Sequence, residues 1–314
     1  MIAYSVVVPA LNEATTLPSL FCRLQPIMQQ LCGNSWEILI VDDGSTDDTW
    51  SVIQSLANEH AGVRGIRLSR NFGHHIAISA GLDASVGERV VVMDADLQHR
   101  PEDLPRFAAA LDDGADVAYG IAAERAHGYW KRMFSRAFLS VVNRYGDAAI
   151  ELNSSLFRMM RRPVVEAINK CRERNRYVVG LMSWVGFRQV GIPITYDPRL
   201  GGFPKYSFVK SVKLAFITVI SFSTVPLRLA TFLGLMFSAL SFTLAIQVMI
   251  QRIFFSVSTP GYTSLLAGMM LLGGAILLVL GIMGEYIGHL IGEVKGRPLY
   301  VIREVSPKSY RAQK

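Results

Sequence analysis

Two carboxylates one residue apart, Asp94 and Asp96, with the amide of Gln98 two residues further on, are the best candidates in this sequence for holding a hard cation. Mg²⁺ or Mn²⁺ takes one or two protein carboxylates and fills the rest of its shell with water and phosphate oxygens. An Asp-x-Asp therefore belongs with phosphate-bearing substrates. Alone it is a weak motif, because a solvated turn or a cap for a helix near Pro101 uses the same residue types. Three further polar clusters raise its weight: Asn12-Glu13, Asp42-Asp43 and Arg70-Asn71 each follow a short apolar run, as Asp94-Ala95-Asp96 does. A dinucleotide fingerprint is missing, since Pro9-Ala10-Leu11-Asn12-Glu13 stands where its glycines would be, and no P-loop motif occurs. Cys22, Cys32 and Cys171 form no CxxC pair, which excludes a zinc knuckle or disulfide framework and fits a reducing cytosolic setting. His74 and His75 open a helix, where adjacent side chains diverge, so they read as site lining or capping rather than as a metal pair.

The elements that must position these clusters alternate. Apolar runs at 4–8, 36–41, 63–68 and 89–93, and a short one at 117–119, read as strands. Segments 14–31, 47–58, 74–84 and 101–111 read as helices, with Ser45 or Thr46 capping the second and Pro101 in the first turn of the last. The β-α-β-α order predicts an α/β domain with a mainly parallel sheet and helices on both faces. Ligands then bind at the carboxyl ends of the strands, where all four polar clusters fall. Four clusters at four strand ends converge on one cleft.

The rest of the chain has a different solvent. Of 314 residues, 51% are hydrophobic and 18% charged, below the ~25% charged of a soluble domain. Residues 1–200 carry 21 Lys and Arg against 22 Asp and Glu, whereas 201–314 carry 11 against 3. Basic residues beside apolar runs read as a membrane-surface feature rather than a nucleic-acid footprint. Residues 229–250 and 263–284 are each 22 residues without a charge. Each reaches about 33 Å as a helix, enough for a hydrocarbon core of ~30 Å. Arg228 before the first span and the Lys and Arg residues after the second outnumber the lone Arg252 between them, which predicts both ends in the cytoplasm. Lys205, Lys210 and Lys213 among apolar neighbours predict interfacial helices over 201–228. The expected organisation is a catalytic domain at 1–200, interfacial helices at 201–228, a two-helix membrane region at 229–290 and a cytoplasmic tail at 291–314. No signal peptide is visible at the N-terminus.

VVVPALNE, ILIVDDGSTDDT, LSRNFGHHIAISAGL and VVMDADLQHRPEDLP, in this order and spacing, resemble the family 2 inverting glycosyltransferases of GT-A fold. Within them the sequence is most similar to the polyprenyl-phosphate transferases. RNRYVVGLMSWVGFRQ, KYSFVKSVKL and MGEYIGHLIGEVKGRPLYVI extend the likeness over almost the whole chain. The resemblance implies a nucleotide-sugar donor, a UDP-sugar, lying along Pro9, Leu11, Glu13, Asp42 and Asp43, with Arg70 and Ala95 beside it and Asp43 accepting from the base. It implies Asp94 and Asp96 as the catalytic metal site for Mg²⁺ or Mn²⁺, with Gln98 a further ligand. It implies undecaprenyl phosphate as acceptor, a bacterial-type inner-membrane location with several passes, a homo-oligomer such as a tetramer, and a role in cell-envelope or lipopolysaccharide modification. Cationic partners for the lipid phosphate are candidates at Arg125, Lys131, Arg132, Arg136 and Lys205.

Two departures stand out. Many members carry an Asp, proposed as general base, where this chain has Leu156. A phosphate monoester with a second pKa of ~6 is already largely anionic at neutral pH, so it needs no base, and Asp147 or Glu151 is expected to be structural. Phe203 and Pro204 replace part of a flexible stretch before Lys205-Tyr206-Ser207. Three other readings compete. A processive polysaccharide synthase wants more spans and a QxxRW motif, which this chain lacks. A non-catalytic nucleotide-sugar-binding scaffold draws only on Leu156. A receiver-like domain built on Asp42-Asp43 wants a Lys at a late strand end.

Overall fold

The computed structural model describes residues 2–122, 154–174, 178–195 and 261–307, together with Arg176, Asp197 and helical residues between 230 and 254. Two compact units are present, one holding the sheet and the residues from 297 onward, the other the long apolar helix. In the first, the order is β1 (Tyr4–Ala10), α1 (Leu17–Cys32), β2 (Trp36–Asp42), α2 (Thr49–Glu59), β3 (Val63–Leu68), α3 (His74–Ala84), β4 (Arg89–Val92), a 3₁₀ turn (Pro101–Asp103), α4 (Leu104–Asp112) and β5 (Val117–Ala122). Then come β6 (Ser154–Arg161), α5 (Arg162–Lys170), α6 (Val178–Trp184) and β7 (Gln189–Ile194). Helix α7 (Tyr262–Val294) belongs to the second unit, and β8 (Ile302–Ser306) returns to the first.

The eight strands form one sheet in the order β7-β5-β6-β4-β1-β2-β3-β8. Six run in one direction; β6 and β8 run against their neighbours. The period-2 alternation of strand side chains divides the core. Val6, Val8, Ile38 and Ile40 face one layer with Leu17, Ile53 and Phe107. Val7, Leu39, Val90 and Val92 face the other with Ile78, Leu82 and Val165. The expected mainly parallel sheet with helices on both faces is therefore present.

Several boundaries differ from expectation for physical reasons. Pro9 does not end β1. It pairs with Val41 of β2, and β4 stops at Val92, opposite Val7, so the amide proton that proline lacks would face a side with no strand left to bond. Helix α2 takes Asp48 as N-cap residue instead of Ser45 or Thr46, because Ser45 is drawn into the turn described below. Helical structure at Pro101 begins as a 3₁₀ turn before α4. Strand β5 runs three residues past Tyr119, supported on both sides by β6 and β7.

The expected tail supplies β8, which pairs antiparallel with β3. Glu304 accepts from Trp50 Nε1 at 3.1 Å and from Gln54 Nε2 at 3.2 Å, and the Ser69 amide donates to Val301 at 2.8 Å. Helix α7 continues ten residues beyond Gly284. Glu285 ends the charge-free count, but glutamate is a good helix former. The helix stops where Gly296 adopts φ +56° and its amide bonds back to Glu293. Within it Leu271–Val294 is long and apolar enough to cross a membrane by length and composition. Its large side chains are exposed, Leu277 to 70%. Of the predicted span at 229–250, 14 of the 22 residues are described, all of them helical, whereas the predicted interfacial helices at 201–228 lie outside the described residues.

At the amino ends of the strands, away from the polar clusters, Glu37 accepts from Ser5 Oγ at 2.5 Å, Arg64 Nη1 at 2.5 Å and the Val86 amide at 2.9 Å. Glu37 and Arg64 are buried. Removing one partner of a buried ion pair leaves the other charge uncompensated and costs ~3–5 kcal/mol, whereas an exposed pair is worth about 0–1 kcal/mol. Glu37→Ala is expected to lose stability of about that larger size. Glu102→Ala, which breaks the surface pair with Arg23, is expected to lose less than about 1 kcal/mol. Fluorescence-detected unfolding in detergent measures both.

Candidate functional site

The carboxyl ends of β1 to β4 are stitched together by hydrogen bonds between their exit loops. After β1, Asn12 adopts φ +57°, its amide donates to Ser45 Oγ at 3.0 Å, and its side-chain oxygen accepts from the Thr46 amide at 2.9 Å. The Glu13 amide donates to Thr49 Oγ1 at 2.8 Å. The loop carrying Leu11 and Glu13 thus rests on the turn after β2. Pro9 lies buried inside the strand.

Asp42 and Asp43 end β2 and divide their work. Asp42 is fully buried; Oδ1 accepts from the Ser45 amide at 2.8 Å, and Oδ2 lies 3.3 Å from Arg67 Nε. It holds the turn rather than lining the cleft. Asp43 points to the next loop, where Oδ1 accepts from the Phe72 amide at 2.8 Å and Oδ2 from the Gly73 amide at 2.9 Å. Burial pushes its carboxyl above the ordinary value, against the pull of those two amides. Gly44 makes the approach possible: a Cβ there would lie 2.5 Å from the Arg70 carbonyl carbon, and its φ is +72°. Arg70 is exposed and stacks over the Phe72 ring at 4.1 Å.

The same loop starts α3 and sets His74. Gly81, one helical stretch later, would carry a Cβ 2.2 Å from Val7 Cγ1, so only glycine lets α3 sit this low on β1. His74 Nε2 lies 3.2 Å from Asp94 Oδ1. Burial works against charge on His74, but Asp94, with Asp43 and Asp96 nearby, outweighs it and raises the His74 pKa. Burial likewise works against charge on Asp94, and His74 beside it holds the carboxyl below its ordinary value. The His74 and His75 rings diverge at 67°, 5.8 Å apart. Burial lowers the His75 pKa to about 4, leaving it neutral.

Asp94, Ala95 and Asp96 leave β4 in a tight loop. Asp96 Oδ1 accepts from the Gln98 amide at 3.1 Å, Ala95 is buried beneath, and Leu97 takes φ +62°. The Gln98 carbonyl accepts from the Asp197 amide at 3.2 Å. Arg23 holds Glu102 at 2.8 Å and Asp197 at 3.3 Å, which ties this loop to the chain beyond β7. Among the described residues no group of three or more His, Cys, Asp or Glu gathers as a metal cage. What is present is two carboxylates and one amide side chain on a five-residue loop. That donor set fits Mg²⁺ or Mn²⁺, which take most of their shell from substrate phosphates and water.

The structure thus brings Asp43, Asp94 and Asp96 to one end of the sheet, with Leu11, Glu13 and Arg70 on adjoining loops. Arg125, Lys131, Arg132, Arg136 and Lys205, like Asp147 and Glu151, lie outside the described residues. Leu156 sits on β6, half-buried against the apolar layer under α3 and α5. Two residues were not read from the sequence: Asp197, which fastens Gln98, and His99, buried between β4 and β6. The signal for His99 was a polar residue of hydrogen-bonding type between the Asp-x-Asp and Pro101; its partner is 56 residues away.

Asp43→Asn presents an amide NH₂ to one of the two backbone donors. The loss of one hydrogen bond to a charged group, roughly 1.5–3 kcal/mol, is expected to speed hydrogen exchange at Phe72 or Gly73 by about tenfold or more. Exchange of α1 amides is expected to stay unchanged. Amide-resolved exchange mass spectrometry checks this.

The family model described as Glycosyl transferase family 2 matches residues 5–168, more than half of the chain. A Bacillus subtilis (strain 168) protein named uncharacterized glycosyltransferase YkcC is 36% identical over 304 residues, covering 96% of this chain and 94% of the relative. The bactoprenol glucosyl transferase of Shigella phage SfII is 36% identical over 301 residues, covering 96% and 97%. The undecaprenyl-phosphate 4-deoxy-4-formamido-L-arabinose transferase of Enterobacter sp. (strain 638) is 33% identical over 304 residues, covering 96% and 93%. With the strand-end carboxylates in the arrangement just described, these matches establish that the chain belongs to glycosyl transferase family 2 and is a glycosyltransferase of GT-A fold.

Proposed function

We propose that this glycosyltransferase moves one sugar from a UDP-sugar to undecaprenyl phosphate, with inversion, at the cytoplasmic face of a bacterial-type inner membrane. The product would supply lipid-linked sugar for envelope or lipopolysaccharide modification. The observation that carries this reading is the joining of a strand-end carboxylate site, Asp43 with Asp94 and Asp96, to a long apolar helix in one chain. The names of two relatives supply the acceptor class.

The chemistry needs little beyond placement. An oxygen of the lipid phosphate attacks the anomeric carbon, the bond from that carbon to the diphosphate breaks, and its electron pair leaves with the nucleoside diphosphate. The nucleophile is already anionic near neutral pH, so no proton need be removed. Leu156 supports this, being an apolar side chain on β6 where a base is often found. Asp94, Asp96 and Gln98 would hold a divalent cation, which when bound supplies Lewis acidity toward the departing diphosphate. Asp43 would receive the base while its two amide partners hold the carboxyl group in place. His74 would keep the Asp94 carboxylate charged and oriented.

Chain connectivity supports this membrane topology. Strands β7 and β8 belong to the same sheet, so the segment between Ile194 and Ile302 starts and ends on one side of any bilayer it enters. If α7 crosses once, an odd number of further crossings must precede it. Residues 229–250 are the charge-free stretch available. This supports two spans with the catalytic domain and both termini on the cytoplasmic side, and assembly as a homo-oligomer packed through the spans belongs to the same reading.

A transfer assay in nanodiscs containing undecaprenyl phosphate, with Mg²⁺ or Mn²⁺ and a panel of UDP-sugars, tests it by mass spectrometry. One donor is expected to give a lipid-phosphate-sugar carrying a single sugar. Asp94→Asn and Asp96→Asn are expected to lower the rate by about 100-fold or more, the scale of losing one electrostatic stabiliser of developing charge. Glu151→Gln is expected to retain most activity. UDP binding without any product would instead favour the scaffold reading, and a polymer would favour a synthase.

A further inference from the structure

His99 is buried, 3% exposed, and both ring nitrogens of its imidazole are engaged. Nδ1 lies 3.1 Å from the backbone amide of Asp94. An amide nitrogen can only donate, so Nδ1 accepts and the ring proton resides on Nε2. Nε2 lies 3.1 Å from Ser155 Oγ, which also accepts from the Phe157 amide at 3.1 Å. The ring stacks on Phe157 with centroids 5.1 Å apart and planes at 16°, and Phe157 leans on Phe107. The orientation of the imidazole is thus set by packing and its tautomer by the Asp94 amide.

The position of this ring is informative. Strands β4 and β6 pair antiparallel only as far as Val92 opposite Arg158. Beyond that pair the ladder no longer sets the separation of the two chains, and His99 spans the gap with one acceptor toward β4 and one donor toward β6. On the β4 side is Asp94. On the β6 side is Ser155, next to Leu156, the position at which the resemblance to the family implies an acceptor-site group. We propose that His99 is a positioning residue that registers the donor-side carboxylate loop against the acceptor-side strand, through two hydrogen bonds of opposite sense. The proposal rests on the reading of Asp94 as a ligand of the donor's cation.

The two bonds can be separated by substitution. His99→Asn places an amide oxygen near the position of Nδ1, keeping the acceptor for the Asp94 amide but not reaching Ser155. His99→Gln places an amide NH₂ near the position of Nε2, keeping the donor to Ser155 but not the acceptor. Ser155→Ala removes the second partner and leaves the ring untouched. The measurements are Mn²⁺ affinity in the presence of UDP, by electron paramagnetic resonance titration of the full chain in detergent, and steady-state kinetics against undecaprenyl phosphate. His99→Gln is expected to weaken Mn²⁺ binding by about 10-fold or more, the scale of losing an outer-shell partner of a metal ligand. His99→Asn and Ser155→Ala are expected to leave Mn²⁺ affinity within about twofold and to lower kcat/KM for the lipid by about 10-fold.

Equal losses of both quantities in all three variants, no loss in any, or a split in the opposite sense would overturn the positioning role while leaving the donor site intact. Wild-type protein that binds no Mn²⁺ with UDP would overturn the reading of Asp94 and this proposal with it.

Discussion

A buried carboxylate must be surrounded by donors, and at Asp43 the donors are two consecutive backbone amides from a different part of the chain. That requirement organises the whole carboxyl edge of the sheet. The Phe72 and Gly73 amides cannot reach Asp43 unless the loop after β3 folds over the end of β2, and Gly44 leaves it room. With the loop in place α3 begins at His74, whose ring meets Asp94. Asp94 in turn donates its amide to His99, which reaches Ser155 on β6. One chain of polar contacts therefore runs across β2, β4 and β6, linking strands that are not sequence neighbours.

The arrangement explains why two adjacent aspartates have unlike roles. Asp42 belongs to the strand and is spent within its own turn and on Arg67. Asp43, one residue later, points the other way because successive side chains alternate across a strand. In a sheet of this topology ligand-binding groups gather on the exit loops at the carboxyl ends of the strands. Stabilising charge by placement needs such groups to be fixed before substrate arrives; backbone amides hold Asp43 and Asp96, and His74 lies against Asp94.

The second unit differs in composition. Among the described residues the leucines of α7 are exposed, and the helix is long and apolar enough to cross a membrane by length and composition. The return of the chain to β8 makes this apolar excursion an insertion in the sheet domain rather than an appendage after it. Glu304 on Trp50 and Gln54, and Tyr300 on Asp83 at 2.8 Å, fasten the returning segment to α2 and α3.

The alternation of strands and helices through residue 120, the four strand-end clusters and the long apolar helix were all legible in the sequence. Each rests on local periodicity or on composition over a short window, which is where burial leaves its imprint. The strands β6, β7 and β8 were not legible. Their places depend on which sheet edges remain open, and β6 enters between β4 and β5 against the direction of both. Nor could the sequence tell that Asp42 holds a turn while Asp43 clamps a loop, or that His99 bridges to Ser155. A carboxylate or an imidazole carries no local mark of its partner. The partner is chosen by which donors the packed backbone brings within about 3 Å, and only the tertiary structure decides that.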